Sequence, residues 1–439
     1  MSGERERGRF GRDVLQSFGF IALQAGLALA NSIVIARMTG PEGRGLYGLA
    51  VAMLALAWPL AAIGQQNSTV YFLGKGRDPG RIAGLNLLLA LVLLPIGLGT
   101  GALAWTFGGA AGSTTAMALT AAAICLPAAV HFETTRHDYL GRRRVFAYNS
   151  CQSVLTAVLL ALNLLLLGRG EHYVLVTLVA TWVGVAAVLG AVRATRNPRP
   201  RMPSREVIVE HLRHGAREAA SRFNQAALMR LDVLVLAPIV GLAALGIFAI
   251  ADQISNLMSW LGVAAGRMMF AHSAQDPGGS EARRKLGLST RLLVAFWIGS
   301  SLACVTLLWW LIPLVYTRSF SDAYIGVLLL LPAVLGKSIH SVVAPYLTGQ
   351  GHQRPVVRAG LAALTIDIAL VVGLAPWFGW EAAAFAKSIA HGVQAVAVLV
   401  AYRRLYPDSP LSLIPTRADL RYLWQWLGRR FKPPQAPRE

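Results

Sequence analysis

The stretch IVIARMTGPEGRGLYGLAVAMLALAWPLAAIG, residues 33–64, decides the fold class. Apolar residues lead up to Thr39, the pair Gly40-Pro41 interrupts them, and a second apolar run starts at Leu46. Gly-Pro punctuates helical patterns, and runs of this length on both sides suit crossings of a bilayer. The pattern returns 201 positions later. APIVG at 237–241 matches ARMTG at 36–40, and GIFAIA at 246–251 matches GLYGLA at 45–50. Gly40 falls opposite Gly241, Gly45 opposite Gly246, Tyr47 opposite Phe248, and the mid-helix polar residues Asn31 and Asp232 also align. An internal repeat of this period predicts two similar halves arranged as parallel repeats, an organisation of alternating-access transporters.

Outward from this stretch the chain reads as membrane protein throughout. Of its 439 residues 55% are hydrophobic and only 14% charged, against about a quarter charged in an ordinary soluble domain. Mean hydropathy is +0.52. Apolar runs of bilayer length predict twelve spans at 14–36, 46–64, 83–106, 114–131, 149–168, 172–192, 218–240, 243–266, 292–314, 324–346, 359–377 and 380–402. The basic, Pro-rich segment 193–217 separates an N-terminal lobe (1–192) from a C-terminal lobe (218–402). In that segment Pro198, Pro200 and Pro203 predict an extended linker, and residues 206–213 a short surface helix. The basic tail 403–439 contains an amphipathic piece, 420–431, suited to an anionic membrane surface. Arg5 to Arg12 precede the first run as in a signal peptide, but that run continues past Ala30 to Ile35 and reads as an uncleaved span.

A net charge of +20 would suggest nucleic acid in a soluble protein. Here 33 of the 41 Lys and Arg fall in connections on the N-terminal side of the predicted membrane, and only Arg37, Arg44, Arg169 and Arg318 fall in the opposite connections. This is the positive-inside pattern, so both termini are expected in the cytoplasm and no nucleic-acid partner is expected. Cys125, Cys151 and Cys304 are odd in number and far apart, which predicts neither a metal site nor a disulfide framework. Gly74-Lys75-Gly76 lacks the rest of a nucleotide-binding loop, and HExxH and GxSxG are absent, so neither cofactor nor catalytic site is expected.

These residues resemble a known family. The turn Ala36-Arg37-x-x-Gly40-Pro41-x-x-x-Gly45-x-Tyr47 is similar to the opening signature of the Wzx-type oligosaccharide flippases. RLDV at 230–233, SFSDAY at 319–324, LTGQGHQR at 347–354 and GWEAAA at 379–384 extend the resemblance over almost the whole chain. It implies the MOP superfamily, with an all-α, V-shaped, MATE-like fold of two six-helix lobes. It further implies flipping of an undecaprenyl-diphosphate-linked oligosaccharide across a bacterial inner membrane for surface polysaccharide synthesis. A monomer working with membrane lipids, a possible H+ or Na+ counter-ion, and polymerase and co-polymerase proteins goes with that reading. A MATE-like cation-coupled drug antiporter and a membrane glycan polymerase or ligase are the alternatives; short outer connections disfavour the latter. Peptidoglycan-precursor flippases carry several arginines within helices one and two, whereas here only Arg37 and Arg44 occur, at the outer helix ends.

Ionisable residues inside spans are costly and so are functional candidates. Arg230, Arg222 and Lys337 are candidates for substrate contact, with the uncharged Gln24, Asn31, Gln225, Gln253 and Asn256; His340 lies one turn from Lys337. Asp232, Asp252, Asp367 and Lys387 are candidates for ion coupling or for helix pairing. By depth, Arg230 is expected opposite Asp252, and Lys387 opposite Asp367. The distribution of basic residues predicts that reporter fusions will place both termini on the cytoplasmic side. An outward-facing C-terminal reporter would overturn the twelve-span reading.

Overall fold

The computed structural model describes residues 2–109, 114–170, 172–195, 199–275, 280–416 and 419. Among them the secondary structure is helical: α1 (Ser2–Ala61), α2 (Gln65–Gly74), α3 (Pro79–Gly109), α4 (Thr114–Gly141), α5 (Val145–Leu166), α6 (Tyr173–Thr195), α7 (Arg205–Gln275), α8 (Ser280–Val315), α9 (Ala323–Gly349), α10 (Gln353–Phe378) and α11 (Glu381–Leu405). Ten stretches are long and apolar enough to cross a membrane. Two of them, Gly19–Ala61 and Arg222–Phe270, run for 43 and 49 residues, about twice the ~20 that one crossing needs. Each is broken at a single glycine, Gly40 (φ 66°) and Gly241 (φ 78°), where a side chain would be strained. Each stretch therefore supplies two crossings, and the total is twelve. The two breaks are the pair aligned by the 201-residue repeat.

Several connections differ from expectation. Residues 65–74 form the separate helix α2, and α4 continues to Gly141 through part of an expected loop. Residues 199–204 are non-helical as the prolines require, but the expected surface helix at 206–213 is the first part of α7. The reason is local: no proline lies between Arg205 and the apolar run that follows, and Gly215 alone does not break the helix. The amphipathic piece 420–431 lies outside the described residues. Just before it, Asp419 accepts from Arg291 on α8 at 2.8 and 3.0 Å and from the Thr416 hydroxyl at 2.6 Å.

The chain forms two compact units. The first comprises Met1–Ile250, Pro313–Ser321 and Leu374–Trp380; the second comprises Ala251–Ile312, Asp322–Gly373 and Glu381–Glu439. This division falls inside α7 and not in 193–217, because the early part of α7 packs directly on α1 and α2.

In the first unit, polar side chains bind helices together where water is absent. Asn163 on α5 donates to Asn31 on α1 at 2.6 Å and accepts from Thr177 on α6 at 2.5 Å, all three buried. Asp138 on α4, 1% exposed, accepts from Arg142 at 2.9 Å and from both terminal nitrogens of Arg193 on α6. Arg37 donates to the carbonyls of Val315 (2.7 Å) and Leu314 (2.5 Å), neutralising the carbonyl end of α8. The second unit has an apolar core centred on α9 and α11, including Ile339, Val342, Tyr346, Val398 and Tyr402.

At the α2–α7 junction His211 is buried, stacks on Phe72 with centroids 4.1 Å apart, and pairs through Nδ1 with Gln65 at 3.0 Å. Burial first, then the charge of Arg77 and the neighbouring His214, lowers its pKa to about 4 against a partial opposing effect of Glu210. A depressed imidazole is neutral in the packed state, so the junction is fully stable above the ordinary histidine range of about 6.5. That stability is lost progressively as pH falls towards 4, because the unpacked state takes up the proton first. A cysteine at Ser68, in a background with the native cysteines replaced by Ser, should react faster with a soluble thiol reagent over this window. His211→Asn should flatten that dependence; an unchanged pH profile in the variant would rule out His211 as its source.

Candidate functional site

Among the described residues of the second unit, ionisable side chains from three helices meet in a group that is buried or part-buried. The part of α7 after Gly241 contributes Asp252 about 15 Å along its axis, α9 contributes Lys337 about 20 Å along, and α11 contributes Lys387 in its second turn. Lys387 donates to the Asp252 carboxylate at 2.9 Å, with both side chains less than a tenth exposed. The second carboxylate oxygen accepts from Asn256 Nδ2 at 2.9 Å, and Lys337 donates to Asn256 Oδ1. Asn256 thus relays between the carboxylate and the second ammonium.

Close backbone packing sets this geometry. A Cβ on Gly336 would lie 2.5 Å from the carbonyl of His391, so α9 and α11 touch at the residue preceding Lys337. Ser388, next to Lys387, donates to the carbonyl of Leu329 at 2.5 Å and accepts from the backbone N–H of Ala333 at 3.3 Å, filling the gap at Pro332. His391 is buried one turn beyond Lys387 and pairs through Nδ1 with Gln394 at 3.1 Å. His340 lies one turn from Lys337, its Nε2 buried without a hydrogen bond among the described residues.

The pairing differs from the sequence expectation. Depth set Lys387 beside Asp367 and Arg230 opposite Asp252; the structure shows Asp252 receiving Lys387 and Asn256. The extensive α9–α11 contact turns Lys387 towards α9 and Asp252, a rotation about the helix axis that depth along the chain does not contain. Asp367 on α10 and Asp232 on α7 are fully buried, while Arg230 and Gln253 are half-buried.

The remaining candidates lie in the first unit. Asn31 is engaged with Asn163, and Gln24 donates to the carbonyl of Asn149 at 3.1 Å and to Ser153 at 3.4 Å, so both amides join α1 to α5. Arg222 donates to Asn67 at 2.6 Å, and Asn67 donates to Glu218 at 2.9 Å. Gln225 is exposed. Sequence reasoning missed Asn163, Asp138 and His391. A polar residue inside an otherwise apolar run was the available signal for Asn163 and His391.

Twelve crossings and a glycine break repeated in each half make this an α-helical, multi-pass membrane protein. Solved structures share the fold. A structure described as the lipid II flippase MurJ in an inward closed conformation is 12% identical, with 95% of this chain and 94% of that one covered and a TM-score of 0.71. An inward-facing multidrug resistance MATE family transporter is 16% identical, covering 90% and 98%, with a TM-score of 0.67. A MOP superfamily transporter from Pyrococcus furiosus, whose structure is described by a reversed polarity of its binding pocket, is 15% identical, covering 90% and 95%, with a TM-score of 0.57. A comparison with curated protein sequences gave no match. The model of the polysaccharide biosynthesis protein family matches residues 10–267, more than half of the chain, and the protein belongs to that family.

Removing one partner of a buried ion pair leaves an uncompensated charge and costs about 3–5 kcal/mol, whereas removing both costs far less. Asp252→Asn should therefore lower the thermal stability of the purified protein, and Asp252→Asn with Lys387→Met should recover most of it. Failure of the second change to recover stability would show that Lys387 is not the main partner of Asp252.

Proposed function

We propose that the protein flips a diphosphate-linked oligosaccharide on a polyprenyl carrier from the cytoplasmic to the outer leaflet of a bacterial inner membrane. The observation that carries this reading is the match of residues 10–267 to the polysaccharide biosynthesis protein family, with Lys337 and Lys387 supplying charged donors among the packed helices. A diphosphate must exchange its hydration for charged donors to enter hydrocarbon, and polar side chains must replace the water around the sugars. Family membership and the flippase fold support the same substrate class. The lobes 1–192 and 218–402, joined by 193–217, would alternate access with both termini in the cytoplasm, and the prenyl tail would stay in lipid. In this reading Arg230 and Arg222 join the lysines as substrate contacts, and Gln225, Gln253 and Asn256 as uncharged ones. Asp252, Asp232 and Asp367 are the carboxylates able to exchange a proton or sodium ion. The transporter catalyses no covalent step; it acts alone in flipping and hands its cargo to polymerising enzymes outside.

A drug antiporter is the second reading, because a multidrug resistance MATE family transporter shares the fold. Flipping of a fluorescent undecaprenyl-diphosphate-linked saccharide in proteoliposomes tests the reading. Lys337→Ala and Arg230→Ala should each slow flipping at least about tenfold, the loss of one charged hydrogen bond of ~1.5–3 kcal/mol. Arg230→Lys should be partly active, because an ammonium cannot reproduce a bidentate fork. Wild-type flipping in both alanine variants, or efflux of a cationic dye without glycan flipping, would overturn it.

A further inference from the structure

We propose that two glycine seams between α1 and α7 are the gates of this transporter, and that a polar latch between α2 and α7 holds the cytoplasmic one shut; this rests on the transport reading above. The first seam lies beside the breaks. A Cβ on Gly45 would sit 2.0 Å from the carbonyl oxygen of Leu242, and one on Gly246 would sit 2.0 Å from that of Pro41. Both pairs of positions are 201 apart, so the seam maps onto itself through the internal repeat. The second seam lies at the other end of the same crossing. A Cβ on Gly64 would sit 2.1 Å from the carbonyl oxygen of Gly215, and one on Gly215 would sit 2.1 Å from that of Ile63. Its repeat equivalents, Ala265 and Val14, are not glycine, so this seam belongs to one end alone.

Both contacts are backbone on backbone at their nearest atoms; at the second, the small Ser68 hydroxyl also sits 3.1 Å from a Cβ on Gly215 and donates to the carbonyl of His211 at 3.3 Å, so the helices separate there without unthreading large side chains. The Gly64 seam carries the latch. Arg77 is bidentate on Glu210 at 3.0 and 2.9 Å, Asn67 joins Glu218 and Arg222, and Gln65 joins His211. The outermost pair reaches water readily: Arg77 and Glu210 are 49% and 36% exposed, and a cavity of ≈ 370 Å³ lined by Tyr71, Lys75, Glu206 and Arg213 opens beside them, while Gln65 and His211 lie buried below. Exposed ion pairs contribute little, because water replaces them at small cost. Beneath them Gln66 is fully buried with neither amide atom hydrogen-bonded among the described residues. The junction is therefore closed but incompletely satisfied, as a reversible gate requires. These seams also hold the early part of α7 in the first unit; on opening, it would move with the second half of the chain.

The test uses the full chain in proteoliposomes without any glycan, with the native cysteines replaced by Ser. A reporter cysteine is placed at Ser68 beside the latched seam, or at Thr39 beside the other. Arg77→Ala with Glu210→Ala should raise impermeant-maleimide labelling of the Ser68 reporter several-fold and lower that of the Thr39 reporter. Gly246→Ala should do the reverse. The exchange Arg77→Glu with Glu210→Arg should restore slow labelling at Ser68, which a merely unfolded junction would not do. Should Gly246→Ala fail to insert, the exposed latch pair still decides the matter. Equal labelling of both reporters in wild type and latch variants overturns the proposal. Since no substrate is present, that result is independent of whether the protein flips a glycan.

Discussion

A charge or amide removed from water into hydrocarbon must be matched by the protein itself, and the rest of the structure follows from that constraint. It leaves only helices for the crossings. It also forces each intramembrane polar side chain into a shared contact, and these contacts are what join the helices. Asn31, Asn163 and Thr177 tie three helices of the first unit through two short hydrogen bonds. Asp252, Asn256, Lys337 and Lys387 do the same for three segments of the second. The two groups differ in kind. The first is neutral and nearly self-satisfied, which suits a rigid joint. The second is ionic, a lysine on a carboxylate.

Glycine supplies the complementary property. Where side chains bind helices, glycine lets backbones meet without interlocking, and the chain places glycine at both ends of the α1–α7 contact. The breaks at Gly40 and Gly241 double each long helix into two crossings, and the adjacent glycines bring the two repeats together there. The division of the chain into units inside α7 is the direct result, since α7 begins on the first unit and ends in the second. The charged group thus joins α7 to the closely packed pair α9 and α11, while α1 and α7 approach through glycine backbone.

The sequence by itself determined the membrane class, the twelve crossings, the two breaks and the correspondence between the halves. These properties depend on residue type and spacing along one chain: apolar length sets a crossing, and a glycine at positive φ sets a break. Most of the candidate charges were also legible, since an ionisable residue in an apolar run stands out. Their partners were not. Depth along a helix predicted Lys387 with Asp367, but partner choice depends on rotation about the helix axis, and the close approach at Gly336 turned Lys387 to Asp252. For the same reason only the tertiary structure assigned Asn31 to a helix joint, brought Gly64 onto Gly215, and made the expected helix at 206–213 the start of a longer one. Spacing in sequence fixes what each helix carries; side-chain packing between helices decides which of those groups meet.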